Sequence, residues 1–356
     1  MYREHTIGVV VPAYNEAGLV GEVLDGIPSY VDRVYAVDDA STDETWAEIR
    51  AHADGEPRTG RAVADASAGS AVASDGTSGE TPEATGEGGE VAPTADGGFD
   101  ARVVPIRHEE NRGAGGAIKT GYLAARADRV DVTVTVDADG QMDTDLMPRF
   151  LDPIVEGRAD YAKGNRFLAD TEEMPQFRLV GNRMLSLLTK IASGYWGVAD
   201  PQNGYTAISL RALDGMDLEG MYEYYGYCND VLVKLNRADM RVADVAQPAK
   251  YDEEESHIQY GEYVRRVSTM LLANFLGRLN RKHLLGDGAA RPALAYYAGA
   301  AAVALGLARL LAALRPSDDG LRGALGRVVL GVALLLVAMA LDRAEHRELT
   351  IREYGD

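Results

Sequence analysis

Two carboxylates spaced two residues apart, Asp137 and Asp139, are the residues of this chain best suited to chemistry. They follow the β-branched run over 132–136, which predicts a buried strand. Open α/β sheets bind ligands at the carboxyl ends of their strands. Adjacent carboxylates repel each other unless a cation lies between them, and hard divalent cations prefer oxygen ligands and phosphates. The pair therefore predicts a divalent cation site, although a polar turn that closes a strand would have the same composition.

Other strand-like runs also end in polar residues. Residues 6–12 predict a first strand that Pro12 ends, because proline cannot donate to a central ladder. Residues 33–37 predict a second strand, after which Ser41 or Thr42 is expected to cap a helix. Strands and helices then alternate, which favours a mainly parallel, doubly wound sheet whose strand ends converge on one crevice.

Three segments in this order resemble the family 2 glycosyltransferases with the GT-A fold: Val11–Glu16, Val37–Asp43 and Asp137–Gln141. The resemblance covers roughly residues 5–50 and 101–260 and is closest to the dolichol-phosphate mannose or glucose synthase clade. It implies an α/β GT-A catalytic domain with a Rossmann-like, mainly parallel sheet, followed by an amphipathic helix and a two-helix membrane hairpin.

The resemblance also implies a donor site. Mg²⁺ or Mn²⁺ would be held against the sugar donor's diphosphate by Asp137 and Asp139, with Gln141 close by. A carboxylate accepts hydrogen bonds but cannot donate them, so uracil, guanine and ribose remain alternatives for the group it binds. The residues implied for nucleotide-sugar binding are Pro12, Ala13, Tyr14, Glu16, Asp38, Asp39, Asp137 and Gln141.

An acceptor site is implied by matches further along the chain. Lys163–Phe167 resembles the clade's Gly-Ser-Arg element, which assigns Arg166 to phosphate oxygens. Arg183 is the second candidate for the acceptor phosphate, and Arg178 is the fallback. Asp200 opens the segment Asp200–Tyr205, which matches the clade's Asp-x-x-x-Gly-aromatic motif, so we also expect it in the catalytic set.

Two further segments leave alternatives open. Asn111–Ala117 is rich in glycine and opens a predicted helix, where it could cradle a phosphate or allow close packing of helix and sheet. Residues 251–260 lie where the clade has a mobile loop with an Arg and a Gly-x-Ser element. This chain carries Glu253-Glu254-Glu255 there instead, so phosphate contacts from that loop are not predicted.

Composition restricts the class of protein. The net charge of −19 argues against a nucleic-acid partner. Only six of the 36 basic residues are lysines, and an acidic, lysine-poor chain is typical of a protein adapted to high salt. A mildly acidic cytosolic protein encoded by a GC-rich gene is the alternative. The single cysteine, Cys228, excludes an internal disulfide and a cysteine metal cluster.

The expected domains are a catalytic domain over 1–260 and an amphipathic helix over 261–290, followed by a hairpin and cytoplasmic tail over 291–356. Residues 53–100 lack Leu, Ile, Tyr and Trp, so they predict a disordered acidic insertion.

The hairpin helices are expected over 293–314, which would be roughly 33 Å long, and over 321–341. A pair of alanine-rich soluble helices is the alternative. Arg265, Arg266, Arg278, Arg281 and Lys282 give the preceding helix a basic character suited to an anionic membrane surface. The two helices predict a multi-pass protein in the cell membrane, and the positive charge predicts a cytoplasmic catalytic domain.

The resulting hypothesis is an inverting, metal-dependent transfer of a sugar from a UDP- or GDP-sugar to polyprenyl or dolichyl phosphate. A glycan acceptor is one alternative, and Asp200 or Asp230 would then be needed as a base. A non-catalytic membrane scaffold that binds nucleotide-sugar is another. A plain dinucleotide-binding oxidoreductase is disfavoured because no Gly-x-Gly-x-x-Gly follows the first strand. The sequence leaves a homo-oligomer open.

Overall fold

The computed structural model describes residues 1–54, 99, 101–168, 176–247, 260–286, 288–312 and 318–353. Most of the predicted insertion over 53–100 and nearly all of the loop over 251–260 lie outside the described residues.

One mixed sheet of eight strands forms the centre of the chain, in the order β3-β2-β1-β4-β6-β5-β7-β8. Strand β6 runs antiparallel to both of its neighbours, and the other described pairs are parallel. The strands are β1 Ile7–Ala13, β2 Arg33–Asp38, β3 Val103–Arg107, β4 Val132–Thr135, β5 Tyr161–Asn165, β6 Thr206–Ser209, β7 Val242–Ala246 and β8 Thr350–Glu353. The predicted α/β, mainly parallel sheet is confirmed.

Ten α-helices lie in the described part of the chain. They are α1 Val20–Asp25, α2 Thr45–Asp54, α3 Ala114–Ala127, α4 Met147–Val155, α5 Gln176–Ser193, α6 Leu210–Gly215, α7 Tyr227–Arg237, α8 Tyr260–Arg278, α9 Ala290–Ala312 and α10 Asp318–Glu345. A π-helical turn over Leu279–Leu284 joins α8 to α9.

Burial on both faces of the sheet explains the unbroken apolar character of the central strands. Val9 and Val11 belong to one core cluster, and Val10 between them belongs to a second cluster. Successive strand residues point to opposite faces, so these two clusters cover the two sides. At Gly121 of α3, an added Cβ would contact the side chain of Val10, so this glycine allows the helix to pack closely on β1.

Two local expectations differ from the structure. Pro12 does not end β1, because it still pairs with Val37 and the strand ends at Ala13. Asp43, rather than Ser41 or Thr42, caps α2: its carboxylate accepts hydrogen bonds from the Thr45 N–H at 3.1 Å and the Thr45 hydroxyl at 2.6 Å. A carboxylate also complements the positive end of a helix dipole.

The segment that follows α10 returns to the sheet as its edge strand. Thr350–Glu353 pairs in parallel with Val242–Val245 of β7. At Gly197, an added Cβ would lie 2.6 Å from a methyl carbon of Thr350, so only glycine allows this approach. The segment predicted as a cytoplasmic tail therefore contributes these four residues to the central sheet.

Helices α9 and α10 form a hairpin-like pair at the end of the chain. Segments Ala290–Ala312 and Leu321–Glu345 are long and apolar enough to cross a membrane, and only 17% of the most apolar window of each is buried. Glycines bring the two helices together. An added Cβ at Gly331 would lie 2.6 Å from the Val303 nitrogen and 2.8 Å from the Gly299 oxygen. Small residues at such contacts are typical of helix pairs in lipid.

The basic face predicted for residues 261–290 is only partly present. Arg265 and Arg266 are exposed, as expected for a membrane-facing surface. Arg278 is instead fully buried, with one nitrogen 2.8 Å from an Asp342 oxygen. It also donates to the carbonyls of Ala192 and Ile191. Arg278 is thus an internal link between helices, and a buried cation of this kind requires such a partner.

The hairpin contact can be tested at two glycines of α10. We expect Gly331→Ala to lower the free energy of unfolding by about 1–3 kcal/mol, because the new methyl group would meet backbone atoms of α9. Gly326 has no heavy atom within 4 Å of an added Cβ, so Gly326→Ala is the matched control. That variant should be neutral or raise stability by up to about 1 kcal/mol. Unfolding in detergent measures both, and equal effects would contradict the packing.

Candidate active site at the carboxyl ends of the central strands

Three neighbouring parallel strands bring the polar segments of the sequence to one edge of the sheet. Strand β1 lies between β2 and β4. Ala13 at the end of β1 lies opposite Asp38 of β2, and Val10 lies opposite Thr135 of β4. The segments that leave these three strands therefore begin side by side.

The turn after β1 is held by the loop before α2 and by the first residue of α2. Asn15 has a φ of 57°, which is uncommon for a residue with a side chain. Its N–H donates to the Ser41 hydroxyl at 2.9 Å, and the Glu16 N–H donates to the Thr45 hydroxyl at 2.8 Å. These bonds fix the main chain, whereas the side chain of Tyr14 stays 47% exposed at the crevice.

Asp38 and Asp39, predicted to bind the donor's base or ribose, are both buried. Asp38 accepts a hydrogen bond from the Ser41 N–H at 3.1 Å and lies 3.0 Å from Nε of Arg107. Asp39 accepts from the backbone N–H groups of Arg112 and Gly113 at 2.9 and 2.8 Å. The two carboxylates thus organise the wall of the crevice, and their contact with a nucleotide stays a prediction.

His108 is a residue of this wall that the sequence did not reveal. Its Nδ1 lies 2.7 Å from Asp39, and its Nε2 lies 2.9 Å from the Thr120 hydroxyl. The ring therefore bridges the end of β2 and helix α3. His108 directly follows β3, and β3 pairs with β2. This position is the only sequence signal that could have suggested the contact between His108 and Asp39.

The glycine-rich start of α3 packs against a loop. The Gly116 N–H donates to the Glu223 carbonyl at 2.8 Å, and Gly115 leaves no room for a Cβ beside the Tyr222 carbonyl. The Glu223 carboxylate accepts from both Arg112 and Lys119 at 2.9 Å. Close packing of this segment is therefore observed, but its partner is the loop before α7 rather than the sheet.

Asp137 and Asp139 lie in a turn that directly follows β4. Asp139 accepts a hydrogen bond from the Gln141 N–H at 2.9 Å, and Gly140 between them has a φ of 74°. Glycine is the residue that adopts this conformation without strain. Both carboxylates are half-buried, so they remain partly accessible from the crevice. Together with Gln141, the side chains offer only oxygen acceptors and one amide, a donor set that suits Mg²⁺ or Mn²⁺.

A second turn closes against Asp137. A Cβ added to Gly204 would lie 3.0 Å from an oxygen of Asp137 and 3.3 Å from the terminal methyl of Met142. The structure thus brings the segment that begins at Asp200 against the carboxylate pair. A glycine at position 204 allows this approach, because any larger residue would press on the carboxylate.

Arg166 and Asp200 form a two-point ion pair. Nε of Arg166 lies 2.7 Å from one carboxylate oxygen, and Nη2 lies 3.3 Å from the other. Asp200 is buried, whereas the Arg166 side chain is one-third exposed. A paired geometry of this kind orients a guanidinium plane. Arg166, which was predicted to bind phosphate, is therefore held in a defined orientation by Asp200, another residue of the predicted catalytic set.

Buried polar residues form hydrogen bonds around the end of β5, the strand that directly precedes Arg166. Lys163 is fully buried and donates to the Asn203 carbonyl. Asn165 donates to Asp244 at 2.5 Å, while its own amide oxygen accepts from the Phe167 N–H at 3.0 Å. Burial raises the pKa of Asp244 to about 6, although the bond from Asn165 opposes the rise. Sequence reasoning missed Asp244, because nothing in the local pattern around β7 marks a buried carboxylate.

Asp230 and the two arginines of α5 are the remaining candidates. Asp230, the other possible base, accepts from the Tyr222 N–H at 2.9 Å and from Asn274 at 2.7 Å. Burial raises its pKa, and Lys234 opposes the rise. Arg178 and Arg183 belong to α5, and the side chains of 176–183 lie outside what the structure describes.

Comparison with known proteins gives the class. A model of glycosyl transferase family 2 matches residues 8–61 and 74–215, which is more than half of the chain. The chain therefore belongs to glycosyl transferase family 2, and it is a glycosyltransferase.

The curated relatives indicate the branch of the family. The UDP-N-acetylglucosamine–dolichyl-phosphate N-acetylglucosaminyltransferase of Methanococcus voltae is 27% identical over 250 residues, covering 69% of this chain and 86% of that protein. The dolichol-phosphate mannosyltransferase of Pyrococcus furiosus is 22% identical over 60% of this chain and 48% of that protein. These relatives support the dolichol-phosphate clade.

A solved structure gives the same fold. Glucosyl-3-phosphoglycerate synthase from Mycobacterium tuberculosis, in a complex with Mn²⁺, uridine diphosphate and phosphoglyceric acid, aligns with a TM-score of 0.51 at 21% identity. The alignment covers 76% of this chain and 79% of that one. The expected GT-A fold is thereby confirmed.

The buried carboxylate of Asp244 gives a pH-dependent prediction. Its pKa in the folded chain, about 6, exceeds the unfolded value of 3.8, so ionising it destabilises the fold as the pH rises through this window. We expect Asp244→Asn to gain stability relative to wild type between pH 4.5 and pH 8, by about 2–3 kcal/mol at most.

Chemical unfolding across that pH range measures the difference. The exposed Asp145→Asn variant is the control and should differ from wild type by a constant amount. A pH-independent difference for Asp244→Asn as well would contradict the assignment of the buried carboxylate.

Proposed function

We propose that this glycosyltransferase moves a sugar from a nucleotide-diphosphate sugar to a polyprenyl or dolichyl phosphate, with inversion, at the cytoplasmic face of the cell membrane. One observation carries the proposal. The Asp137–Asp139 turn lies against the segment that begins at Asp200, and Asp200 orients Arg166. We therefore assign the cation-binding carboxylates and the anion-binding arginine to one crevice.

The donor would lie along the crevice edge formed by β1, β2 and β4. We assign its nucleoside to the segment Pro12, Ala13, Tyr14 and Glu16 and to the wall built on Asp38 and Asp39. Exposed Tyr14 offers an aromatic surface, and the fixed turn from Asn15 keeps it in place. The relative from Methanococcus voltae is named for a UDP-sugar donor, so UDP-sugars are the first donors to test and GDP-sugars the second.

The diphosphate would be bound through a divalent cation at Asp137, Asp139 and Gln141. The oxygen-rich donor set fits Mg²⁺ or Mn²⁺, and a solved neighbour contains Mn²⁺ together with uridine diphosphate. Such an ion, when bound, would neutralise the negative charge that develops on the leaving diphosphate. The turn at Gly140 follows the end of β4 directly, so the assigned ligands belong to one short segment at that strand end.

The acceptor phosphate is assigned to Arg166, with Arg183 and Arg178 as further candidates. Asp200 holds the Arg166 guanidinium at two points, so the cation is oriented before the acceptor arrives. A phosphate is already an anion at neutral pH, so it can attack the anomeric carbon without a strong general base. We therefore assign Asp200 to ion pairing with Arg166 rather than to proton transfer.

This point separates a phosphate acceptor from a hydroxyl acceptor. A hydroxyl group would need a base, and the two carboxylates predicted for that task are engaged elsewhere. Asp200 pairs with Arg166, and Asp230 accepts bonds from Tyr222 and Asn274. The glycan-acceptor alternative is therefore not favoured by the described residues.

Membrane attachment is assigned to α9 and α10. Both are mostly unburied apolar helices, and the segments before and after them return to the catalytic domain through Arg278 and β8. A hairpin with both ends on one side would cross the bilayer twice and leave the active site on the side of those ends. This arrangement supports a membrane lipid as the acceptor.

A labelling experiment tests the proposal directly. We expect membranes that contain this protein to transfer radiolabel from a UDP- or GDP-sugar to extractable lipid in the presence of Mg²⁺ or Mn²⁺. The labelled lipid should release its sugar in mild acid, as a sugar joined through its anomeric carbon to a phosphate does. An acid-stable product would indicate a hydroxyl acceptor, and donor binding without any product would indicate a scaffold.

A matched pair of aspartate variants tests the assigned cation site. Asp139→Asn removes one charge without changing size, so we expect transfer to fall by at least about a hundredfold while the fold is retained. Asp145→Asn, six residues further on and exposed, should transfer as wild type does. Circular dichroism checks both folds. Full metal-stimulated transfer by Asp139→Asn would contradict the assignment.

A further inference from the structure

A second group of metal-ligating side chains lies at the base of the hairpin. His283 lies in the π-helical turn before α9, and Glu345 and His346 lie at the end of α10. One nitrogen of each ring and one oxygen of Glu345 lie within 4.8 Å of one another. The side chain of His283 is 0% exposed and that of His346 is 2% exposed. The glycosyl transfer assigned above uses none of these residues.

Hydrogen bonds fix both imidazole rings in the form that binds metals. Nδ1 of His283 donates to the Ala289 carbonyl at 3.0 Å, and Nδ1 of His346 donates to the Asp342 carbonyl at 2.8 Å. A backbone carbonyl on one ring nitrogen is the usual partner of a metal-bound histidine, because it leaves the other nitrogen unprotonated. In both rings that other nitrogen, Nε2, is buried and has no hydrogen-bond partner in the described structure.

The third ligand is also held in place. An oxygen of Glu345 accepts from the Ala289 N–H at 3.1 Å and lies 3.5 Å from Nδ1 of His283. Ala289 therefore bonds to Glu345 through its N–H and to His283 through its carbonyl, so one residue aligns two of the three side chains.

Charge in the surroundings favours a cation. The nearest other carboxylate, Asp342, is bound by Arg278 and accepts from the Trp196 ring N–H at 3.1 Å. Asp342 also lies 3.2 Å from Nδ1 of His346 and 3.9 Å from Nε2 of His283, and Glu345 places a second carboxylate beside the rings. A divalent cation would balance this negative charge and satisfy nitrogen atoms that otherwise lack a partner.

We propose that His283, Glu345 and His346 bind a zinc-class divalent metal ion that ties the start of the hairpin to its end. Two imidazoles and one carboxylate are a zinc-type set, with water as a fourth ligand. Imidazole nitrogen suits zinc, whereas the all-oxygen group at Asp137 and Asp139 suits Mg²⁺ or Mn²⁺. Because the ligands come from both ends of the hairpin, binding should stabilise the folded arrangement.

Zinc titration of the full-length protein tests this proposal without an activity readout. Protein purified in detergent is treated with a chelator and then titrated with Zn²⁺ in excess Mg²⁺, which keeps oxygen-ligand sites filled. We expect about one zinc ion per chain by elemental analysis, and a thermal unfolding temperature that rises with zinc concentration. Co²⁺ in place of Zn²⁺ should give the visible absorption of a tetrahedral site.

Single variants locate the ion. His346→Gln and Glu345→Gln should each weaken zinc binding by about tenfold or more and remove the thermal shift. His5→Gln, on the N-terminal segment, is the matched control and should bind as wild type does. Asp139→Asn should also keep the zinc response, which separates this site from the proposed transfer site.

Two results would overturn the proposal. The first is that the wild-type protein takes up no stoichiometric zinc. The two histidines would then serve only as hydrogen-bond donors to backbone carbonyls. The second is that both His346→Gln and Glu345→Gln bind zinc as strongly as wild type does. The ion would then be bound at another site. The cobalt spectrum keeps the test decisive if a variant folds poorly, because it reads the ligands of the wild-type protein directly.

Discussion

The parallel register of β1 between β2 and β4 is the constraint on which the site depends. Ala13 lies opposite Asp38, and Val10 lies opposite Thr135, so three strand ends open onto one edge. A slip of one residue would turn every side chain of a strand to the other face. The buried valines of β1, which contact a separate core on each side, make that slip unfavourable. Core packing thereby determines where the polar residues meet.

Buried charges connect this edge to the rest of the chain. Asp39 fastens the segment after β3, and Asp200 orients Arg166. Isolated buried charges are costly, so each of these groups requires its partner. The polar residues of the crevice are consequently positioned before any ligand binds, and such preorganisation is what electrostatic catalysis needs.

Buried contacts and a shared strand join the hairpin to the catalytic domain. Arg278 of α8 binds Asp342 of α10, and Trp196 donates to the same carboxylate. Strand β8 then adds the last described residues to the sheet. These contacts fix the orientation of the apolar helices relative to the crevice. The proposed lipid acceptor, embedded beside these helices, would then meet the candidate active site at a constant depth.

Much of the fold could be predicted from local sequence. The strand near residue 132 was predicted from its β-branched run, the strands near residues 7 and 33 from short apolar runs, and the two apolar helices from their length. Strand β8 was missed, since Thr350–Glu353 is short and mostly polar, and its partner β7 lies far away in the chain. Non-local pairing of this kind leaves no periodic signal.

In the candidate site, too, contiguous motifs could be predicted from the sequence, whereas contacts between distant residues could not. The Asp137–Asp139 turn and the Asp38–Asp39 strand end were recognisable because each motif is contiguous. Arg278 was wrongly expected on the membrane surface, because its partner Asp342 is 64 residues away. Asp244 and His108 act through contacts between separate strands and loops, which the sequence does not display. The roles of the candidate site residues stay predictions.

Diffraction from crystals that contain Mn²⁺ and a nucleoside diphosphate tests the central claim most directly. Anomalous scattering locates the manganese without reference to the protein chain. We predict a manganese peak in contact with the Asp137 and Asp139 carboxylates and with the diphosphate, beside the turn after β1. A nucleotide bound in that crevice with manganese located away from both carboxylates would contradict the claim.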